Sequence, residues 1–429
     1  MLYQFHEIQR DTFKPLTAWA QVMSQTLGSS NNLFADNPLI KRMTAGLELT
    51  YRLGKDYEKP AWHLDSTDVT DNAGAAHTVD VFANVIKNKP FCKLLHFDRD
   101  TSHLEKTTDP RVLVIAPMSG HHATLLRDTV KALLPRHEVF VTDWMDARMV
   151  PVSKGAFSLS DYVAYVMEFI QLLAANGQNI HLISVCQPTV PVMAAVSLLS
   201  TQQKTDKSVM LPRSMTMMGG PIDPRKSPTS VNNLATTKPF SWFEETVIHT
   251  VPDRYPGAGR RVYPGFLQHA GFVAMNPDRH LKSHWEYYGD LVKGDVLDAD
   301  AHRDFYDEYN AVLDLASEFY LETIKLIFQE HRLPLGKWDV ELKGEKYGGK
   351  HRVCPQDIKN VALFTVEGEL DDISGSGQTQ AAHDLCSGIP KSKKQHYTAP
   401  QCGHYGIFSG RRWREMIAPK IETFIRQYD

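Results

Sequence analysis

Apolar side chains in the first part of the chain recur at helical spacing. A helix is predicted from about Pro38 to Leu53, closed by Gly54, because its apolar residues share one face. These residues are Leu39, Met43, Leu47 and Tyr51. Before it, the first 35 or so residues read as an amphipathic helix that Pro15 interrupts. We therefore predict an N-terminal helical extension over residues 1–88.

From about residue 90 the pattern changes to short apolar runs that alternate with helical stretches. The predicted strands cover residues 111–116, 138–142, 179–185, 214–218 and 360–366, and the predicted helices cover residues 121–134, 160–177 and 188–202. Alternation of this kind produces right-handed crossovers and a mostly parallel sheet. The strands are apolar almost throughout, which is typical of a sheet covered by helices on both faces.

The alternation stops between residues 239 and 350, a block rich in Trp, Tyr and Phe. We predict that this block is a lid inserted between two parts of the core, residues 89–238 and 351–429, with a helical segment from Ala311 to His331. Exposed aromatic rings in this block would offer an apolar surface for a hydrophobic substrate. The expected substrate-binding residues are Trp242, Phe243, Tyr263, Phe266, Trp285, Tyr287 and Tyr288. The alternative is an ordinary helical cap packed by its own aromatic side chains.

Composition narrows the class of protein. The 429 residues include 47 Lys and Arg and 50 Asp and Glu, a formal net charge of −3, which offers no electrostatic reason to bind nucleic acid. No apolar run approaches the roughly 18 residues that span a membrane. We expect no signal peptide, because the N-terminus lacks the features of one. The five cysteines are sparse and odd in number, which does not suit a disulfide scaffold. We expect a cytoplasmic protein with no transmembrane segment.

A candidate nucleophile lies where an apolar strand gives way to a helix. Cys186 follows the run at 179–185, and Pro188 suits the first turn of the helix after it. A nucleophile at a strand-to-helix turn is the nucleophile elbow of α/β-hydrolases, and a helix N-terminus favours a thiolate. The alternative is a buried structural cysteine.

The order of residues along the chain supports the elbow. In the α/β-hydrolase fold the acid follows a late strand and the histidine lies near the C-terminus. Asp371 follows the predicted strand at 360–366, and His404 lies in a loop between two glycines. We predict a triad of Cys186, Asp371 and His404, in which the imidazole draws the thiol proton. Asp223 is the alternative acid, and Asp372 is expected to point away.

An acyl-transfer site also needs amide donors for an oxyanion. The elbow offers the backbone N–H of Gln187, and the loop after the first core strand offers that of Met118, with Ser119 as the alternative. No metal site is expected, because Cys402 beside His404 has no companion pair at metal-binding spacing. No cofactor is expected either.

Together these segments give the chain a family resemblance. It resembles the intracellular polyhydroxybutyrate depolymerases over most of its length. The segments that carry the resemblance are 116–121 (APMSGH), 142–148 (TDWMDAR), 184–188 (SVCQP), 218–223 (MGGPID) and 403–406 (GHYG). The resemblance implies an α/β-hydrolase with Cys in place of Ser, acting on amorphous polyester granules in the cell, with Cys186, Asp371 and His404 as nucleophile, acid and base. Ser184 and Pro188 replace the usual glycines of the elbow, which separates the chain from polyhydroxyalkanoate synthases.

The expected activity is hydrolysis of ester bonds in poly-(R)-3-hydroxybutyrate, with the granule and its oligomers as partners. Three alternatives stay open. One is a synthase-like acyltransferase, and another is a depolymerase that uses coenzyme A in place of water. The third is a granule-coating protein that has lost its chemistry. Oligomeric state, chain-length preference and the mode of cleavage do not follow from the sequence.

Overall fold

The computed structural model describes residues 2–105 and 108–429. Its helices are α1 Leu2–Gly28, α2 Pro38–Gly54, α3 Arg127–Leu133, α4 Leu159–Leu173, α5 Thr189–Gln203, α6 Ser230–Thr237, α7 Phe240–Thr246, α8 Gly265–Met275, α9 Pro277–Lys293, α10 Val296–Asn310, α11 Ser317–Glu322, α12 Ala382–Leu385, α13 Gly410–Arg412 and α14 Ala418–Tyr428.

The strands fall into one large sheet and two small ones. They are β1 Ser66–Thr70, β2 Ala76–Lys89, β3 Cys92–Arg99, β4 Arg111–Ile115, β5 Glu138–Trp144, β6 His181–Val185, β7 Ser214–Met218, β8 His249–Thr250, β9 Arg261–Tyr263, β10 Leu315–Ala316, β11 Asp339–Leu342, β12 Gly349–Arg352, β13 Ala362–Gly368 and β14 Lys394–Ala399.

The central sheet has nine strands in the order β1-β2-β3-β5-β4-β6-β7-β13-β14. The strands from β5 to β14 in this order are parallel, and β1, β2 and β3 add to one edge as antiparallel neighbours. Helices α3, α4, α5 and α14 pack on the core, and β4, β6 and β7 are buried along almost their whole length. The prediction of a mostly parallel sheet covered by helices on both faces is confirmed.

The N-terminal region differs from the prediction in two ways. Helix α1 runs through Pro15 without interruption. Pro15 is exposed, so water can bond the backbone carbonyl that the missing N–H leaves free. The helices also end at Gly54, and β1 and all but the last residue of β2 lie within the part predicted as helical up to residue 88. Most residues of β2 face solvent and give no regular apolar alternation, so its pattern carried no strand signal.

The insert, residues 239–350, lies between β7 and β13. It contains helices α7 to α11, the three-stranded sheet β10-β9-β8, β11 and the start of β12. The predicted helix from Ala311 to His331 is wrong at its start. Residues 311–316 are extended and end in β10, and the helical part is α11 followed by a π-helical turn at Thr323–Gln329. The extended start pairs with the core, because Val312 forms a β-bridge with His121.

The extension, core and insert meet at a buried polar contact. The hydroxyl of Tyr3 on α1 donates to Asp314 Oδ2 at 2.7 Å, and the backbone N–H of Gly265 donates to the other carboxylate oxygen at 2.8 Å. Asp146, on the core, accepts from the backbone N–H of Asp314 at 3.2 Å and pairs with Arg148. Buried polar groups must be partnered, so this cluster fixes how the three parts pack together.

Candidate active site

Cys186 occupies a sharp turn between β6 and α5. Its backbone φ is +67°, a left-handed conformation that a cysteine adopts only under constraint. Its N–H donates to the carbonyl of Met218 at 2.7 Å, and its carbonyl accepts from the hydroxyl of Thr189 at 2.9 Å. The residue is half-buried. This is the geometry of a nucleophile elbow, which holds the sulfur at the carboxyl edge of the sheet.

Two glycines leave room for this turn. A β-carbon on Gly220 would lie 1.8 Å from Thr189 Oγ1 and 2.4 Å from the carbonyl oxygen of Cys186. A β-carbon on Gly219, whose φ is +55°, would lie 3.3 Å from both Asp371 Oδ2 and His404 Cε1. The close approach that usually needs glycine within the elbow is therefore provided from the neighbouring strand, after β7. This explains how Ser184 and Pro188 can stand where glycines are common.

The predicted triad residues converge at one point. Nδ1 of His404 donates a hydrogen bond to Asp371 Oδ2 at 2.8 Å, and the other carboxylate oxygen accepts the N–H groups of Ile373 and Ser374 at 2.9 and 2.8 Å. The imidazole also contacts the side chain of Cys186. Burial opposes a charge on His404, but Asp371 and Cys186 outweigh it and hold the pKa of the imidazole well above its usual value. A histidine fixed in this way can exchange a proton with the sulfur.

The alternative acids are engaged elsewhere. Asp223 forms a two-point ion pair with the guanidinium of Arg225 at 2.7 and 2.8 Å. Asp372 Oδ2 accepts from the side-chain amide of Asn276 on the insert at 3.4 Å. Of the three carboxylates weighed from the sequence, Asp371 is the one bonded to His404.

The expected oxyanion donors lie on neighbouring loops. Strands β4 and β6 are adjacent and parallel, with Ile115 beside Ser184, so the loops that carry Met118 and Gln187 leave the same edge together. Within residues 2–105 and 108–429, neither backbone N–H has a hydrogen-bond acceptor. Both amides are therefore free to bind an anionic oxygen.

The insert holds the loop of Met118 in place. The carbonyl of Gly120 accepts from the N–H of Leu313 at 2.8 Å, and Nε2 of His121 donates to the carbonyl of Tyr309 at 3.1 Å. The His121 ring also stacks on Phe272 of α8, and burial lowers its pKa to about 4. His121 is thus a neutral anchor between core and insert.

Aromatic rings form a layer between the insert and His404. Tyr405 lies 6.5 Å from Tyr309 and 6.4 Å from Phe305, measured between ring centroids, and both partners belong to α10. Tyr309 in turn lies 5.0 Å from His280 of α9. This layer gives the site an apolar wall, and the sequence analysis missed it because the rings belong to elements far apart in the chain.

The aromatic residues proposed from the sequence for substrate binding are mostly engaged elsewhere. Phe243 and Tyr287 are buried, so the expectation that they present rings to a substrate is wrong for both. Phe243 packs in a small cluster with Ala235 and Ile324, and Tyr287 stacks on His302. The half-buried rings are Trp242 against Lys238, Tyr263 against Tyr320, Phe266 against His6, and Tyr288 against Trp285. Trp285 alone of the set is largely exposed, at 72%.

In the part of the chain that the structure describes, no group of three or more His, Cys, Asp or Glu side chains has the arrangement of a metal site. No helix there combines the length and apolar character needed to cross a membrane.

Several solved structures are similar to this chain at low identity. The complex of DcsB with its substrate analogue is 12% identical, covering 85% of this chain and 99% of that one, with a TM-score of 0.40. A putative lipase from Acinetobacter baumannii AYE is 11% identical, with coverages of 81% and 93% and a TM-score of 0.42. The Paleococcus ferrophilus monoacylglycerol lipase is 12% identical, with coverages of 75% and 97% and a TM-score of 0.41. No match was found among curated protein sequences.

The sheet order, the strand-to-helix elbow and the convergence of loops at its carboxyl edge define the protein as an α/β-hydrolase. Residues 219–429 match the family model described as PHB de-polymerase C-terminus. The match covers 211 of the 429 residues, so the C-terminal part of the chain is similar to this family, and the match supports an ester hydrolase.

Proposed function

We propose that the protein hydrolyses ester bonds of poly-(R)-3-hydroxybutyrate through Cys186, Asp371 and His404. The observation that carries the proposal is the position of the His404 ring, bonded to Asp371 on one side and in contact with Cys186 on the other. The family match supports a polyester substrate.

The first half-reaction forms an acyl-enzyme. The sulfur of Cys186, having given its proton to His404, attacks the ester carbonyl, and the carbonyl oxygen becomes an oxyanion held by the N–H groups of Gln187 and Met118. When the oxyanion collapses, the bond to the alkoxide breaks, and His404 returns the proton to the leaving oxygen. The polymer is cut and its acyl fragment remains on Cys186 as a thioester.

The second half-reaction releases the fragment. His404 takes a proton from a water molecule, whose oxygen attacks the thioester carbonyl. Collapse of this second intermediate frees a carboxylic acid, and the thiolate leaves. Asp371 orients the ring and stabilises its charged form throughout.

Product analysis tests this proposal. The protein is incubated with amorphous poly-(R)-3-hydroxybutyrate particles, with and without coenzyme A, and the soluble products are identified. We expect free 3-hydroxybutyrate or its oligomers in both reactions. Products that form only with coenzyme A and carry it as a thioester would show that the acyl acceptor is coenzyme A and not water. Intact particles and intact soluble oligomers under both conditions would overturn the proposal.

A further inference from the structure

The first helix presents its apolar side to solvent. The large apolar residues of α1 that are exposed are Leu2, Phe5, Ile8, Phe13, Leu16, Trp19 and Val22. Its buried residues are Tyr3, Glu7, Thr17, Ala20 and Ser24, which are mostly polar or small. An ordinary surface helix has the opposite arrangement, with its apolar stripe toward the core.

The exposed residues lie on one continuous face. At 3.6 residues per turn they span about half of the circumference of a helix about 40 Å long. The charged residues of α1 lie outside this arc and are paired: Glu7 with Arg10, Lys14 with Asp56, and Asp11 with Arg254. The polar residues within the arc, Gln4, Gln9, Thr12 and Thr26, carry no charge. We call this surface the α1 face.

The α1 face continues into a groove against the insert. A cavity of about 890 Å³ lies between α1 and α2 on one side and α8 and α9 on the other. Phe13 and Leu16 of the α1 face line it, and so do Leu53, Phe266 and Leu281. His280 also lines this cavity, and its ring contacts Tyr309 in the aromatic layer beside the catalytic histidine. One layer of rings thus separates the groove from the candidate active site.

We propose that the α1 face and its groove are the surface by which the protein docks on an uncharged, water-insoluble polyester, an inference that rests on the proposed function. A neutral polyester offers methyl, methylene and ester groups and no charge to pair. The α1 face, which is large, apolar and free of charges, matches it. Charged side chains also line the groove, but they are paired within the protein, for example Arg10 with Glu7, Arg52 with Asp307 and Arg148 with Asp146. Helices that lie on anionic membranes instead flank their apolar side with Lys and Arg that are free to meet lipid headgroups. The cations of α1 outside its apolar face, Arg10 and Lys14, are paired with Glu7 and Asp56. Docking on α1 brings the polymer beside the wall of the active site.

The test compares two double variants with the wild type. I8E/W19E places two carboxylates on the α1 face, where the side chains are 65% and 55% exposed. F82E/V85E makes the same change at similarly exposed positions on β2, at 53% and 50%. Thermal unfolding checks that each variant folds. Binding is measured by co-sedimentation with amorphous polyester particles, using inactive C186A versions of all three proteins, and the rate on a soluble hydroxybutyrate trimer is measured with active versions.

We expect I8E/W19E to bind particles about tenfold or more weakly than the other two proteins. All three should cleave the trimer at the same rate. Equal particle binding by I8E/W19E and wild type would overturn the docking proposal. The proposal would also be overturned if the wild type were a dimer and I8E/W19E dissociated it without losing particle binding. Tighter binding of the wild type to phosphatidylglycerol vesicles than to polyester particles would overturn it as well.

The same measurements separate docking from catalysis. If I8E/W19E loses particle binding while no protein cleaves trimer or particles, the docking surface stands and the proposed function fails. If the wild type cleaves both substrates and I8E/W19E binds particles normally, the proposed function stands and the docking surface fails.

Discussion

The carboxylate of Asp371 lies 2.8 Å from Nδ1 of His404, although 33 residues separate them in the chain, and both side chains are almost completely buried. The bond fixes which imidazole nitrogen faces Cys186. It also raises the pKa of His404. The carboxylate thus controls both the orientation and the charge of the His404 ring.

Replacing Asp371 by Asn should remove the negative charge while keeping the side-chain shape. We expect kcat to fall by about two to four orders of magnitude, because the amide cannot stabilise an imidazolium or hold the correct tautomer. The pKa of His404, followed by NMR, should fall, because Asp371 raises it.

The matched controls are Asp223→Asn and Asp372→Asn, which alter the other two carboxylates weighed as the acid. Both should keep activity within about tenfold of the wild type, since their partners are Arg225 and Asn276. If either control lost more activity than Asp371→Asn, the carboxylate changed in that control would be the acid.

Gly220 should be intolerant of even a single added methyl group. Alanine there would press on the carbonyl of Cys186, a backbone atom that cannot rotate away. We expect a loss of about 2–4 kcal/mol in unfolding free energy and a much lower kcat, as the elbow shifts. Gly271→Ala, on α8, is the control: its β-carbon meets nothing within 4 Å and should leave stability unchanged or slightly higher. Equal stability of the two variants would contradict the packing around the elbow.

The polar cluster that joins the extension, core and insert should make stability depend on pH. Burial raises the pKa values of the carboxyl groups of Asp146 and Asp314, and repulsion by Asp314 adds to the rise for Asp146. In the unfolded chain an Asp titrates near about pH 4. The folded state therefore holds the extra proton, and its stabilising contribution is full below about pH 4 and is lost as the pH rises through the raised pKa.

Asp146→Asn removes one of these charges and measures the effect. The unfolding free energy of the variant relative to the wild type should rise with pH, by up to about 1.4 kcal/mol per pH unit across the titration. Urea unfolding at several pH values between 4 and 8 gives the difference. Parallel curves would contradict a titration of Asp146 that is linked to folding.

The cysteines should differ in reactivity. Burial raises the pKa values of the thiols of Cys92, Cys386 and Cys402, which keeps them protonated and unreactive. Cys186 is half-buried and contacts His404. Brief iodoacetamide treatment near neutral pH, read by peptide mass spectrometry, should label Cys186 before these three. His404→Ala should slow its labelling, and faster labelling of Cys92 or Cys386 would contradict the burial described.

The core was predictable because its signals are local. Strands β4 to β7 and β13 are apolar runs separated by helical stretches, so their order and the positions of Cys186, Asp371 and His404 followed from the α/β-hydrolase pattern. Because these strands are parallel, their carboxyl ends lie at the same edge of the sheet. The loops that follow them could therefore be expected to meet although they are distant in sequence.

What the sequence analysis missed depends on contacts between distant elements. Whether Tyr287 is exposed depends on the stacking of His302 from another helix, and hydrophobicity alone cannot reveal it. Strand β2 forms by pairing with β3, and most of its side chains face water, so no buried stripe marked it. The apolar side of α1 faces solvent, but its periodicity in the sequence is the same as that of an apolar side that faces the core. Only the packing of the folded protein distinguishes the two cases.

The central claim is that Cys186 carries the acyl group, and trapping that intermediate tests it most directly. The protein is mixed with a hydroxybutyrate oligomer, quenched in acid during turnover and analysed by peptide mass spectrometry. The account predicts a hydroxylamine-sensitive hydroxybutyryl adduct on the peptide containing Cys186, absent from C186A, which should also lose nearly all activity. An adduct on another residue, or full activity in C186A, would contradict it.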